Sequence, residues 1–257
     1  TILPVDVSFS EWDCTLEELV AEQPQLRLGF RMISGLAHDV AETILRIRTL
    51  KAYESFDDFR FRTRFKSAVL SRLSEADAFQ SLQRSRRPAM WDALPDQSSQ
   101  PLFDGRSEEE IETALPEMSV QREVLDDYRT TGLSLKAHPL SLLRAELQTR
   151  GVITAAALLD HPVDRKVRVA GLVLLRQHPG SANGITFVTI EDETGTTNLI
   201  VHPNVWNRFR LVARTATALL VRGILQREQS VVHVVVDHIE DLSETLGNTR
   251  QKSRDFR

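Results

Sequence analysis

The most regular alternation of apolar and polar positions lies between residues 166 and 242. Residues 166–176 (KVRVAGLVLLR) are β-branched and apolar with alternate side chains on one side, as in a half-buried strand. The turn signal Pro179-Gly180-Ser181-Ala182-Asn183-Gly184 separates them from a second run at 185–192. Glu193-Thr194-Gly195-Thr196 then leads into a third run at 197–201. A helix-like piece at 206–213 precedes two further strand-like runs at 219–225 and 231–239.

Five short strands with one helix between the third and fourth follow the order of an OB-fold, a small Greek-key barrel that binds strands of nucleic acid. The periodicity by itself supports a five-stranded β unit, and a generic β-barrel is the alternative. Upstream the period changes to that of helices. Residues 1–24 mix extended pieces with a short helix that Asp13 is placed to cap, running through Leu16, Glu17, Glu18, Leu19 and Val20. Asp6, Glu11 and Asp13 read as caps and surface charge, because no His or further acid completes a metal site.

Ile33-Ser34-Gly35-Leu36-Ala37, followed by Ala41 and Ile44, has the pattern of a helix-hairpin-helix. Small residues there let successive backbone N–H groups at the start of the second helix approach a phosphate. Gly35 suits the tight turn, and Ala37 stands where a second glycine is commoner. An ordinary helix N-terminus after a glycine turn is the alternative. A second instance is expected around Ser74-Glu75-Ala76-Asp77-Ala78-Phe79, after an apolar-periodic run from Phe56 and a helix over 66–73. Arg60, Arg62, Arg64, Lys66 and Arg72 precede it, and Arg84, Arg86 and Arg87 follow it. Paired hairpins that each grip a backbone hold duplex DNA without reading its sequence.

Residues 95–104 read as a linker with one apolar island. Gln97, Leu102 and Phe103 in that island resemble the short peptide by which polymerases engage a sliding clamp, with two apolar anchors and a glutamine at the pocket rim. The alternative is a linker that tucks Leu102 and Phe103 onto a neighbouring domain. The next stretch is acidic and helical, with Ser107 and Glu110 spaced as a capping box. A helix over 119–129 ends at Gly132, and His138-Pro139 opens another over 140–147.

Charge sharpens this division. The 257 residues carry a formal net charge of −4. Residues 25–95 nevertheless hold 13 Lys and Arg against 8 Asp and Glu, residues 96–127 hold 2 against 10, and residues 165–257 hold 13 against 9. Two basic modules joined by an acidic connector suit a polyanionic partner. The single cysteine, Cys14, fits a reducing cytoplasm, and residues 1–6 show neither a basic nor an apolar leader region. The lack of an initiator Met suggests a piece of a longer chain. No Gly-Lys-Ser/Thr loop, Cys-x-x-Cys pair or His-Glu-x-x-His occurs. Glu191-Asp192-Glu193 is the tightest acidic group, but it sits at a strand end entering a turn, so no two-metal site is expected. The residues argue for binding rather than catalysis.

Several blocks together resemble the bacterial error-prone DNA polymerases, C-family enzymes related to the replicative alpha subunit. They are Trp12-Asp13-Cys14-Thr15-Leu16-Glu17, Leu26-Arg27-Leu28-Gly29-Phe30 leading to Gly35-Leu36, residues 119–128 with Gly132-Leu133-Ser134, and His138-Pro139-Leu140. Val169-Ala170-Gly171 with Arg176-Gln177, residues 187–195 and the terminal Ser253-Arg254-Asp255-Phe256-Arg257 complete the set. The resemblance implies the C-terminal part of a DNA-directed DNA polymerase of damage-induced mutagenesis and translesion synthesis. It also implies cytoplasmic partners: an inactive Y-family-like polymerase, a RecA-like accessory protein and, indirectly, the sliding clamp. The catalytic acids and their Mg2+ would belong to a palm domain upstream of residue 1. The replicative alpha subunit is a neighbouring alternative, and the end of the chain soon after the barrel speaks against it.

The expected architecture is multidomain α+β. Residues 1–94 would hold the end of the fingers with the helix-hairpin-helix module, 95–164 a linker and acidic helical connector, 165–243 the OB-fold barrel, and 244–257 a mobile basic tail. Gly35 and Ala37, with Arg84, Arg86 and Arg87, are the expected duplex contacts. Arg176, Phe187, Arg222 and Arg227 are the expected contacts to single-stranded template on the barrel. Asp77 and His202 depart from the family pattern and weaken the second hairpin and one stacking position. The competing reading is a protein-interaction platform with marginal DNA affinity, favoured by the low aromatic content of the strands.

Overall fold

A computed structural model describes residues 1–17, 24–94, 116–228 and 231–246, and the backbone of Arg254–Phe256. They form two compact units, Thr1–Leu135 and Lys136–Arg257.

The first unit begins with a small sheet of β1 (Ile2–Leu3), β2 (Thr15–Glu17) and β3 (Gln25–Arg27). The central β3 runs parallel to β1 and antiparallel to β2. The helix expected after Asp13 is therefore a strand where it is described. Leu16 pairs with Leu26, and the Glu17 carboxylate accepts from the Arg27 guanidinium across the pair, so ladder bonds and a cross-strand ion pair override local helix propensity. Among the described residues five helices follow: α1 (His38–Leu50), α2 (Phe56–Thr63), α3 (Ser67–Glu75), α4 (Arg86–Asp92) and α5 (Val120–Thr131). Ser55 caps α2 by accepting from the Asp58 N–H, and left-handed Arg64 ends it. Ser119 caps α5, which stops at Gly132 with φ +80°.

Phe30, Ile33, Ile44, Phe59, Leu73 and Phe79 are fully buried at the centre of this unit. Phe79 meets Phe56 and Phe59 edge to face at 4.8 and 5.1 Å between ring centres, which fixes how α2 lies against the turn after α3. Asp6, expected as a cap or surface charge, is buried; its carboxylate accepts from the Ser81 N–H (3.0 Å) and hydroxyl (2.6 Å).

The second unit is a closed barrel preceded by α6 (Pro139–Thr149) and the short α7 (Ala155–Leu158). Its strands are β4 (Lys166–Gln177), β5 (Thr186–Asp192), β6 (Gly195–Val201), β7 (Ala218–Glu228) and β8 (Val231–Asp241). The order is β5-β6-β8-β7-β4 with β4 returning to β5, and among these five strands the β6–β8 pairing is parallel and the others antiparallel. This is OB-fold connectivity. The expected helix between the third and fourth strands is two short ones, α8 (Pro203–Arg208) and α9 (Arg210–Thr215), broken at Phe209.

Inward residues of period two, including Val167, Val169, Val188, Ile190, Leu199, Val221, Leu225 and Val234, fill the barrel. A Cβ on Gly223 would lie 2.3 Å from the Val235 carbonyl oxygen, so only glycine lets β7 and β8 approach beside the bulge at Arg222/Gly223. In the tail, expected to be mobile, the backbone of β9 (Arg254–Phe256) pairs in parallel with Leu175–Gln177 of β4.

Candidate nucleic-acid interface

The first hairpin is built by a 3-10 turn at Phe30–Met32, Gly35 at φ +73°, extended Ala37 and then α1. Leu36 is buried under the turn, as a hairpin anchor should be. Ala37 offers no side-chain cap to the start of this 13-residue helix, the positive end of its dipole. Arg72, from α3, donates to the Gly35 carbonyl and sits 3.4 Å from where a Cβ on Gly35 would lie. Nothing in the spacing of Arg72 pointed to the first hairpin; the tertiary fold delivers it there. Asp39 works against an anion at this end, its carboxylate accepting from the Val40 N–H at 2.9 Å.

The same sequence of conformations recurs at a position the residue types disguised. A 3-10 turn at Gln80–Leu82, left-handed Gln83 (φ +54°) and extended Ser85 lead into α4. In each case the left-handed residue stands three positions before the first helical one. The small-residue turn at 74–79, where the second hairpin was expected, instead closes α3. Asp77 is left-handed there (φ +57°), but its carboxylate is buried and accepts from the Gln80 side-chain amide at 2.7 Å, turned away from any phosphate.

The three arginines expected to hold phosphates near this hairpin have different roles. Arg84 is ion-paired to Asp92, with Nε 2.7 Å from its carboxylate. Arg86 is buried, donating to Asp127 and to the Glu123 carbonyl (2.9 Å), and so fastens α4 to α5. Arg87 alone of the three is exposed, donating to the Pro116 carbonyl at 2.6 Å. Arg62 is also structural: it donates to the carbonyls of Ala52, Ile47 and Lys51 at the end of α1 and lies over the Tyr53 ring.

On the barrel, Arg176 is buried. Its Nε donates to the Ala213 carbonyl at 2.8 Å and its Nη2 to that of Ala216, so the guanidinium caps the C-terminus of α9 instead of facing solvent. Phe187 points outward on β5 with 38% of its surface exposed, beside Ile200 of β6. Arg222 is half-exposed and paired with Asp237 at 2.7 Å, and Arg227 is exposed with a bond to the Leu159 carbonyl. Gln97, Leu102 and Phe103 lie outside the described residues.

The acidic trio at the end of β5 is a structural joint. Arg144 of α6 makes a two-pronged contact with Glu193 (2.5 and 2.9 Å) and reaches Asp192 at 3.3 Å. Asp192 also accepts from the N–H groups of Ala155 and Thr194, both at 2.8 Å. His138 caps α6 through Nδ1, which accepts from the Leu140 N–H at 3.1 Å. Burial lowers its pKa below the usual histidine value, outweighing the pull of Glu193 and Asp192. Among the described residues no group of three or more His, Cys, Asp or Glu could hold a metal ion. No helix among them is long and apolar enough to cross a membrane.

Sequence comparison agrees with both units. The family of the helix-hairpin-helix motif matches residues 1–89, and that of the OB-fold nucleic acid binding domain matches residues 167–242. Error-prone DNA polymerase 1 of Rhizobium meliloti (strain 1021) is 39% identical over 282 residues, covering 99% of this chain. Over nearly its whole length the chain is similar to an error-prone DNA polymerase. The Brucella abortus biovar 1 and Rhodopirellula baltica error-prone DNA polymerases are 41% and 40% identical, over 96% and 100% of this chain. These matches cover 25%, 23% and 23% of the three error-prone DNA polymerases, so the chain spans about a quarter of their length. The two matched folds fall one in each compact unit.

Proposed function

We propose that this chain is the DNA-binding portion of an error-prone DNA polymerase, in which the paired hairpins of the first unit hold primer-template duplex and the barrel holds single-stranded template. The observation that supports the duplex role best is the repeat of one hairpin conformation at Gly35 and Gln83, each three residues before a helix. Backbone grips of this kind bind through phosphates and are indifferent to sequence, as a polymerase requires. Nucleotide transfer, its Mg2+ and the role in translesion synthesis would rest on residues beyond this chain. Fluorescence anisotropy with labelled single-stranded and primed DNA tests the reading. Salt-sensitive binding of both is expected, and no binding at low ionic strength refutes it.

A second reading has its own support. Arg84, Arg86 and Arg176 are engaged inside the protein, and Phe187 is the one aromatic ring on the outer face of β5 and β6. A barrel so poor in stacking groups suits recruitment of accessory proteins, an inactive Y-family-like polymerase and a RecA-like protein among them. Capture of those partners by the purified chain, with DNA binding absent, would favour this reading.

A further inference from the structure

In an OB-fold the paired second and third strands are the usual place to look for a bound strand of nucleic acid. Here these are β5 and β6, whose outer face carries Phe187, Thr189, Glu191, Thr196, Asn198 and Ile200 and no cation. Such a face can stack a base but cannot neutralise a phosphate. Every Lys and Arg within the five barrel strands lies on β4 or β7, and Arg176 among them is buried.

Lys166 and Arg168 of β4 and Arg222 of β7 line a cleft of about 390 Å³. Its walls are Arg150 at the end of α6, His161 after α7, Lys166 and Arg168 of β4 and Arg222 of β7, with Ile153 and Val167 as apolar lining. Arg168 and Arg222 stand directly opposite each other in the antiparallel ladder. Like charges in that position are destabilising unless something of opposite sign lies between them. The acids nearby offset only part of the charge: Asp237 pairs with Arg222, and Glu240 with Arg150 and, at 3.6 Å, with His238. Arg168 donates to the Arg150 carbonyl at 2.7 Å, and neither it nor Lys166 has an acidic partner among the described residues. A fold that keeps two unneutralised cations and a pair of opposed guanidinium groups along one cleft is arranged for an anion.

We propose that this cleft, on the β4–β7 wall and not on the β5–β6 face, takes the phosphodiester backbone of single-stranded DNA. Lys166, Arg168 and Arg222 contact successive phosphates. The proposal deepens the reading of the barrel as a nucleic-acid binder and rests on it.

The test uses the whole chain and a fluorescein-labelled oligothymidylate, with affinity measured across a salt series. Lys166→Gln/Arg168→Gln should lower the slope of log K against log salt by about 1.4, at roughly 0.7 per lost phosphate contact. Phe187→Ala should weaken binding with the slope unchanged. If the double variant fails to fold, Lys166→Gln, which removes no described hydrogen bond, should lower the slope by about 0.7. A wild-type slope in Lys166→Gln/Arg168→Gln, or in Lys166→Gln where the double variant does not fold, overturns the cleft assignment while leaving the barrel a DNA binder. Absence of oligothymidylate binding by the unmodified chain overturns the underlying reading as well. Binding of polyglutamate but not oligothymidylate, lost in Lys166→Gln/Arg168→Gln, overturns the proposal in favour of an acidic protein segment.

Discussion

Replacing Arg176 by Ala separates two roles that an arginine on a barrel strand can have. Only 6% of the residue is exposed, and its guanidinium donates to the carbonyls of Ala213 and Ala216 at the end of α9. Hydrogen bonds to a charged group contribute about 1.5–3 kcal/mol each, and a buried carbonyl left without its donor costs about 1–3 kcal/mol. These are two views of one loss and are not to be added. A helix C-terminus deprived of its cation loses about a further 0.3–1 kcal/mol. The expected destabilisation is about 3–5 kcal/mol, in the range for breaking one side of a buried charged contact. Arg222→Gln is the counterpart: its pair with Asp237 is about two-fifths exposed on both sides, so the stability cost should stay below about 1 kcal/mol. Urea unfolding followed by circular dichroism gives the first quantity, and the salt dependence of oligothymidylate binding gives the second. Arg176→Ala should shift the unfolding midpoint and leave the salt slope of the folded protein intact. Arg222→Gln should do the reverse, lowering the slope by about 0.7. An Arg176→Ala protein with an unchanged midpoint and a reduced slope would refute the assignment of this side chain to the α9 cap.

Three further outcomes follow from the same geometry. Arg144→Ala leaves Asp192 and Glu193 without their cation at a site where Asp192 is almost wholly buried, and should cost about 3–5 kcal/mol by urea denaturation; a change under about 1 kcal/mol would show the joint is solvated. Burial lowers the pKa of His138, so its contribution is complete above an unfolded pKa near 6.5 and is lost as pH falls below it; His138→Asn, which keeps a cap acceptor, should flatten the decline in stability as pH falls below about 6.5, and an unchanged decline would count against it. Tyr53 donates to the Ile44 carbonyl at 2.9 Å, and burial, opposed by Arg62 and Arg48, pushes its pKa to about 12, so stability should drop as pH rises above about 10. In alkaline absorbance titration, Tyr53→Phe should remove a transition near 12; loss of one near 10 instead would contradict this environment.

The barrel was legible because its information is local. Alternation of Val and Ile with polar residues, turn signals at Pro179-Gly180 and Thr194-Gly195, and a helix before the fourth strand define the five strands with little reference to distant residues. The end of α5 was equally legible, since Gly132 acts within one turn of its own helix. Failures came where a distant partner decides the local conformation. Thr15-Leu16-Glu17 reads as helix from its propensities, but Leu26 and Arg27 recruit it into a ladder. The second hairpin was sought among small residues, where left-handed backbone is easy, yet the fold holds Gln83 left-handed without glycine, and residue type conceals the turn.

The site was less legible than the fold, and arginine is the reason. A guanidinium serves equally as a phosphate contact, an ion-pair partner or a donor to several helix carbonyls, and sequence shows the charge without the direction of the side chain. Arg62, Arg86 and Arg176 direct theirs to carbonyls and buried acids, whereas Arg87 and Arg168 remain exposed. One sequence feature does anticipate the outcome on a strand. Where inward positions are identified, a cation in phase with them must be neutralised internally, and one out of phase faces water. Lys166 and Arg168 alternate with inward Val167 and Val169 and are exposed, in keeping with that rule. Arg176 lies beyond the bulge between Val173 and Leu175, where one inserted residue shifts the alternation and turns its side chain toward α9. The bulge therefore decides which arginine of β4 faces solvent, and an unbroken pattern of alternate positions could not show it.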